Sequence, residues 1–402
     1  MKPLQDVTVI DFTRVLAGPT CTRILAELGA NVTKIEPPAG DLSRAGSPTV
    51  GGFAGYFLQL NGGKRNLCID LNWPEAREIV FDLCARADMV VENFRPGTMA
   101  SFGLSYASLK EANPQLVYVS MSGYGQNSPW SGRPAFAPTV QAESGATRTH
   151  LSHYGVSLDK PKNDSSSHAD LYTGLHGAIA GLAALNMRAR TGQGTHADIS
   201  MMATMLNMNE RLHAQINELE NEQNEPWALS APDSPIFVLG DGSLVTLTTS
   251  PIWTPAFSRY CTMMGRNDLR LDSRFSSPDL RRKNEQELMA EVQSWMSTFR
   301  SFEELEAQVS GGGGLALGRV RHPKETLETE WAKAMEPTYE IEVGEKKVRL
   351  PKGPWLFEGQ DSGALTPAAK QGAHNREVLE EAGVEKSTIA ELYERDILYE
   401  AD

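Results

Sequence analysis

The stretch VTVIDFTRVLAGPTCTRILAELGANVTKIEPP, Val7 to Pro38, decides the fold. Its first six residues, VTVIDF, form a short apolar run rich in β-branched side chains, the composition of a buried strand. PTCTRILAELGA follows, with Pro19 near a helix start and Gly29 where a helix would stop. NVTKIEPP is a second strand, ended by Pro37 and Pro38. The same rhythm continues outward through NLCIDL, a helix around PEAREIVFDLCARA, and the strands DMVVENF and QLVYVSMSGYG. Strands alternating with helices of about 10–15 residues predict an α/β fold, a parallel sheet covered by helices.

Beyond Asp170, the run LYTGLHGAIAGLAALNMRAR reads as a long helix. Gly177 and Gly181 allow a neighbour to approach closely, Arg188 and Arg190 suit the last turn, and Gly192 the stop. TGQGTHAD reads as the link to a second helical run, ISMMATMLNMNERLHAQINELE, whose methionines at helical spacing indicate core. Composition then changes. NEQNEPWALSAPDSP reads as a linker, PIFVLGDGSLVTLTT as a hairpin turning at GDG, and YEIEVGEKKVRL as another hairpin. These signals predict a large domain over residues 1–224, a smaller α+β domain over 225–330, and a return to the large domain over 331–402. The SGGGG run at 310–314 reads as a plain flexible turn.

At 402 residues, the chain exceeds the usual single core, and its 40% hydrophobic and 22% charged composition suits a folded globular protein. A formal net charge of −13 argues against a general nucleic-acid or anionic-membrane partner, while leaving room for a small polyanion held by local basic residues. Cys21, Cys68, Cys84 and Cys261 form no C-x-x-C pair and sit among apolar neighbours, as buried free thiols do in a reducing compartment. MKPLQDVTVIDF shows no signal-peptide pattern, and AIAGLAAL is far too short to span a bilayer. A cytoplasmic protein is expected.

Glu36 ends the second strand where an acidic residue would meet a ribose, but TRVLAGP carries no G-x-G-x-x-G to seat a pyrophosphate, which argues against NAD. No P-loop, H-E-x-x-H or G-x-S-x-G is present, and His150 and His153 have no cysteine ligands nearby, so no metal site is expected. SSSHAD sets a serine, a histidine and an aspartate almost side by side, but a catalytic triad is assembled from separated loops. What remains is a set of loops at predicted strand ends: TRVLAGP, EPPAGDLSR, NGGKR, ENFRPGTM and SGYGQNSP. Arg44, Lys64 with Arg65, and Arg95 lie in them; each alone reads as a solvated charge, and as a group they suit phosphates. Asp170, just before the long helix, reads from spacing alone as its N-cap.

Taken in order, VIDFTRVLAGP, LAELGANVTKIEPPAGD, NGGKRNLCIDL, ADMVVENFRPGTM, SGYGQ, SHADLYTGLHGAIAGLAAL, TGQGTHADISM, LDSRF and GAHNREVLEEAGV resemble the class III CoA-transferases, the CaiB/BaiF family that includes formyl-CoA transferases. The resemblance covers most of the chain. It implies a Rossmann-like large domain built from both chain ends, a smaller domain between them, and two chains interlocked as a homodimer. It also implies that Asp170, with Gly174 four residues on, is the nucleophile, and that coenzyme A enters as the acyl-CoA substrate with a carboxylic acid as second substrate. The CoA contacts it implies fall on Val15, Leu16, Ile69, Asn93, Phe94, Arg95 and Phe102; Leu16 replaces a polar residue found in some transferases and offers only its backbone. The α-methylacyl-CoA racemases, a related branch, place a His-Asp pair after the S-G-Y-G-Q loop. Phe136 and Ala137 stand there in this chain, and neither accepts a proton. A non-catalytic acyl-CoA binding protein on the same fold is the remaining alternative.

Overall fold

The computed structural model describes residues 2–153, 165–217, 219, 234–310, 315–358 and 365–401. The chain divides into two compact units, Met1–Glu210 with Glu336–Asp402, and Arg211–Met335. Residues 221–233 of the expected linker, the glycines of SGGGG and residues 159–164 before the SSSH stretch lie outside the described residues.

The first unit is built on six parallel strands: β1 (Thr8–Asp11), β2 (Asn31–Glu36), β3 (Lys64–Cys68), β4 (Met89–Glu92), β5 (Val117–Ser122) and β6 (Thr195–Ser200). Their spatial order is β3-β2-β1-β4-β5-β6. This is the order of a doubly wound sheet, and the winding reverses between β1 and β4. The helices around it are α1 (Ala17–Glu27), α2 (Gly55–Asn61), α3 (Pro74–Arg86), α4 (Tyr106–Ala112), α5 (Ala137–Glu143), α6 (His168–Thr191) and α7 (Met201–Asn207).

Side chains of successive strand residues point to opposite faces, and the core divides accordingly. Ile10, Val90 and Tyr118 pack with Val80 and Cys84 of α3 and Leu109 of α4. Val9, Val91, Val117 and Val119 pack with Cys21 and Leu25 of α1 and Ala178 and Ala184 of α6. Helix α1 stops before Gly29, at φ +106°, and α6 before Gly192, at φ +69°, both where the sequence places the stop. All four cysteines are buried and free.

Two expectations change. TGQGTHAD is not merely a link: Thr195–Ser200 is the edge strand β6, whose polar, half-exposed residues disguise it. The run from Ile199 is likewise not one helix, because its first two residues finish β6 and α7 ends at Asn207 before a separate turn of helix at Leu212–Ile216.

The second unit holds a three-stranded antiparallel sheet, β7 (Ile236–Val238), β8 (Leu244–Leu247) and β9 (Leu317–Arg319), in the order β9-β8-β7. Helices α8 (Thr254–Met264), α9 (Glu285–Met296) and α10 (Phe302–Ser310) enclose a core around Phe237, Val245, Tyr260 and Val292. The GDG hairpin of the sequence is β7–β8. In the first unit, β10 (Thr338–Val343) and β11 (Lys346–Pro351) form the second predicted hairpin, packed on Phe57 and Leu58 of α2. Helices α11 (Asn375–Glu381) and α12 (Lys386–Glu394) then complete the core beside β3. No described helix is long and apolar enough to cross a membrane.

Candidate active site

The loops leaving β1, β2 and β4 interlock at the carboxyl ends of their strands. After β1, the Asp11 carboxylate accepts hydrogen bonds from the Thr13 amide (2.8 Å) and hydroxyl (2.5 Å), turning the chain out of the sheet. The next residue, Arg14, is gripped on both main-chain groups by one side chain. Its N–H donates to Asn93 Oδ1 at 2.8 Å, and its carbonyl accepts from Asn93 Nδ2 at 2.9 Å. Val15 then takes φ +67°, the left-handed region that a β-branched side chain strongly disfavours. The Asp41 carboxylate holds it there, accepting the Val15 N–H at 3.1 and 3.3 Å. Strain of this kind persists only where surrounding contacts over-determine it, and such positions cluster at functional sites. Helix α1 begins immediately after, with no side-chain cap at Leu16. Gly18 permits its seating, since a Cβ there would lie 2.3 Å from Thr13 Cβ and 3.0 Å from Asn93 Cγ.

Buried charges underpin these loops. Lys34 Nζ pairs with Asp41 at 3.0 Å and donates to the Thr13 carbonyl at 2.5 Å. Lys64 Nζ pairs with Asp11 at 3.1 Å and donates to Thr22 and Asn61. Burial pushes the Asp41 carboxyl up, but Lys34 and the Ser43 and Val15 donors outweigh it and hold it at about 2. For Lys64, burial dominates over Asp11 and brings the ammonium down to about 8.

These pairings correct the reading of the basic loop residues as a phosphate cluster. Lys64 and Arg65 are the first residues of β3, at its amino end, so Lys64 enters the core while Arg65 pairs with Glu377 and Glu381. Arg44 forks onto Glu36 through two 2.8 Å bonds. Glu36 also accepts from Asn66 and from the Asp41 amide, which leaves it no part in holding a ribose. Of the four, only Arg95 is exposed.

Among the residues expected to contact CoA, Val15, Leu16, Asn93 and Phe94 are brought together at the β1/β4 crevice. Phe102 lies just beyond, packed with Phe94 against the same core. Ile69 stands apart: its side chain is fully buried, and its N–H donates to the Glu36 carbonyl. Sequence reasoning missed Arg14. Its guanidinium lies over the Phe94 ring, 4.9 Å from the centroid, and its Nε is buried without a hydrogen-bond partner among the described residues. Burial pushes its pKa below the ordinary arginine value, although Asp41 and Glu36 act in the opposite direction. The R in TRVLAGP was the available signal. Glu92, at the end of β4, was missed as well. It accepts the Phe94 N–H at 2.8 Å, and burial, with Asp198 adding, pushes its carboxyl up to about 7 against bonds from Ser120 and Phe94.

Asp170 is not the N-cap of α6. The helix starts at His168, with Ser167 as cap position and no side-chain cap bond, so Asp170 is the third residue of the first turn. The amide before it, Ala169 N–H, is taken by Gln141 Oε1 of α5 at 3.2 Å. No described residue gives the Asp170 carboxyl a hydrogen bond or a charge partner, and burial pushes it up to about 6. Gly174, one turn later on the same face, meets the first turn of α1: a Cβ there would lie 2.4 Å from the Ala17 carbonyl and 2.6 Å from Thr20 Cβ. Gly177 meets Cys21 and Met121, and Gly181 meets Met89 and Val119. Spacing of four, three and four residues keeps Asp170 on this face, directing its turn toward the start of α1. Among the described residues, no group of three or more His, Cys, Asp or Glu side chains is arranged to hold a metal ion.

The fold and site together define, at the level of class, a doubly wound α/β protein with a largely buried carboxyl at a helix start that no described residue pairs. Comparison with known proteins makes the class specific. Residues 4–375 match the profile of CoA-transferase family III, and the chain belongs to that family. It is 32% identical over 425 residues to an acyl-CoA transferase of Fusarium pseudograminearum, covering 98% of this chain and 88% of the relative. It is 36% identical over 314 residues to the succinyl-CoA:mesaconate CoA-transferase of Haloarcula hispanica, covering 75% of this chain and 76% of the relative. Among solved structures, a CaiB/BaiF family protein from Brucella suis superposes with a TM-score of 0.77 at 28% identity, over 95% of this chain and 99% of the other. Rv3272 from M. tuberculosis gives a TM-score of 0.79 at 28% identity, over 94% and 99%. The protein is a class III CoA-transferase, an enzyme of a family that uses CoA thioesters.

Proposed function

We propose that the enzyme moves CoA from an acyl-CoA to a carboxylic acid through two covalent intermediates on Asp170. A carboxylic acid does not displace another from a thioester directly at useful rates, and covalent catalysis divides the exchange into easier steps. The Asp170 carboxylate attacks the donor thioester carbonyl, and the C–S bond breaks to give an acyl-aspartyl anhydride and CoA thiolate. The thiolate attacks the aspartyl carbonyl, releasing the donor acid and leaving an aspartyl-CoA thioester. The acceptor carboxylate attacks that thioester, giving a new anhydride and CoA thiolate. Thiolate attack on the acceptor acyl carbon then forms the product thioester and restores Asp170.

The observation that carries this reading is the Asp170 carboxyl itself: desolvated, unpaired among the described residues, and on the α6 face that meets α1. A nucleophile spends less free energy shedding partners when it has none. The CoA thioester is proposed to lie along the β1/β4 crevice, with Val15, Leu16, Asn93, Phe94, Arg95 and Phe102 as contacts; Ile69, buried after β3 with its N–H bonded to the Glu36 carbonyl, is left out of that set. Phe136 and Ala137 offer no base for proton exchange, which supports transfer over racemisation. A homodimer belongs to the same reading, supported by the exposed apolar stripe of Leu171, Leu175 and Ile179 along α6.

Incubation with an acyl-CoA and a free acid, followed by mass spectrometry, is expected to show CoA exchanged between them. Hydroxylamine is expected to trap the aspartyl thioester as a hydroxamate on the peptide holding Asp170. Undiminished exchange by the Asp170→Ala enzyme would sink the mechanism. Light scattering on the eluting protein is expected to give twice the chain mass.

A further inference from the structure

We infer that Arg14 is a phosphate-binding residue for the nucleotide part of CoA, held ready by the interlock of the β1 and β4 loops. The inference rests on the CoA-transferase reading above. Three observations carry it. The guanidinium carbon lies over the Phe94 ring, 4.9 Å from its centroid, a cation–π contact that holds the side chain at the crevice. Among the described residues its buried Nε has no hydrogen-bond partner, and none forms an ion pair with it. The two acidic groups near enough to influence it are already committed, Asp41 to Lys34 and Glu36 to Arg44. A partly buried cation that no described residue pairs or hydrogen-bonds is costly to maintain, and here Asp41 and Glu36 offset that cost only in part. Asn93 clamps the Arg14 main chain from both sides, and the neighbouring Val15 is held in a strained conformation by Asp41.

The position selects the ligand. Arg14 stands where the winding of the sheet reverses, between β1 and β4, and ligands of such sheets bind outside the carboxyl ends of the strands at that point. A planar fork of donors matches phosphate oxygens in bidentate fashion, and CoA carries a diphosphate and a 3′-phosphate. The ordinary route to a phosphate in a doubly wound fold, a glycine-rich turn, is missing from TRVLAGP. Arg14 supplies by charge what that turn would supply with main-chain amides.

The test is calorimetric binding of CoA, 3′-dephospho-CoA and an acyl-pantetheine, which has no nucleotide, to the wild type, R14Q and R14K. Circular dichroism and thermal melting establish that each variant folds. R14Q is expected to weaken CoA binding about 10- to 100-fold, the size of a lost charge-assisted contact, while acyl-pantetheine binds as to the wild type. R14K, which keeps the charge without the fork, is expected to fall between. Equal loss for CoA and dephospho-CoA assigns the contact to the diphosphate; loss confined to CoA assigns it to the 3′-phosphate. Wild-type affinity for CoA in a folded R14Q overturns the inference, as does a raised KM for the acceptor acid with unchanged CoA binding. Should R14Q fail to fold, R14K decides: weakening of threefold or more supports the contact, and wild-type affinity overturns it. Nucleotide-dependent binding that responds to R14Q in a protein showing no transfer would refute the transferase mechanism while leaving the Arg14 contact standing.

Discussion

Burial pushes the Asp170 carboxyl from 3.8 to about 6, which couples its chemistry and its stability to pH in opposite senses. The nucleophile must be ionised, so kcat/KM for the acyl-CoA is expected to fall about tenfold per pH unit below an acid limb near 6. A pH–rate profile checks this. For stability, the native state holds the Asp170 proton more tightly than the unfolded chain does. Its contribution is therefore lost as pH rises from the ordinary aspartate value to about 6, and the penalty stays constant above. Asp170→Asn removes that penalty. At pH 8 the variant is expected to be more stable by roughly 1–2 kcal/mol, after allowance for partial exposure, while activity falls by roughly a thousandfold or more. Thermal melting and exchange assays on one preparation read both. A variant both inactive and less stable would mean that Asp170 is a structural residue.

Helix α6 and the loops after β1 and β4 are where single changes propagate. A Cβ at Gly174 would press on the Ala17 main chain, which cannot rotate away. Gly174→Val is expected to cost roughly 1–3 kcal/mol in denaturant unfolding, and to reduce kcat strongly, because an ångström of displacement at a reacting group can cost about a hundredfold. The buried pairs beneath the loops behave differently. Lys34→Met leaves Asp41 without its charge partner and is expected to cost roughly 3–5 kcal/mol, whereas replacing both with apolar residues would restore much of it. A double-mutant cycle measures that asymmetry. The glycines of α6 were legible as close-approach positions from their spacing; which element approached was not. Lys64 reads from sequence like any surface lysine, and its burial follows from Asp11, which lies 53 positions earlier in the chain.

For the molecule as a whole, the net charge of −13 coexists with acidic groups whose titration is displaced in both directions. Asp41, held down at about 2, contributes stability present above the ordinary aspartate value and lost as pH falls toward 2. Glu92, pushed up to about 7, acts the other way: stability declines as pH rises from its ordinary 4.5 to about 7. Glu92→Gln keeps an acceptor for the Phe94 N–H but cannot ionise. Its melting temperature is expected to change less than that of the wild type between pH 5 and 8, and scanning calorimetry across that range measures the difference. A parallel decline in both proteins would assign the pH dependence elsewhere.

The sequence by itself determined the βα alternation, the positions where α1 and α6 stop, both hairpins, and the order of loops that marks the family. These are local properties: periodicity, β-branched runs, and glycines that alone tolerate a left-handed backbone without cost. Only the tertiary structure decided which charges would be available. Glu36, Arg44 and Lys64 look in sequence like ligand-binding candidates, yet each is consumed by a partner from another element. Arg14 drew no notice in sequence and Asp170 read by spacing alone as a cap, yet no described residue pairs with either side-chain charge. Side-chain pairing at a sheet's carboxyl edge depends on which loops the strand order makes neighbours. That order, β3-β2-β1-β4-β5-β6, sets the loop of Val15 beside the loop of Asn93, some 78 residues away along the chain.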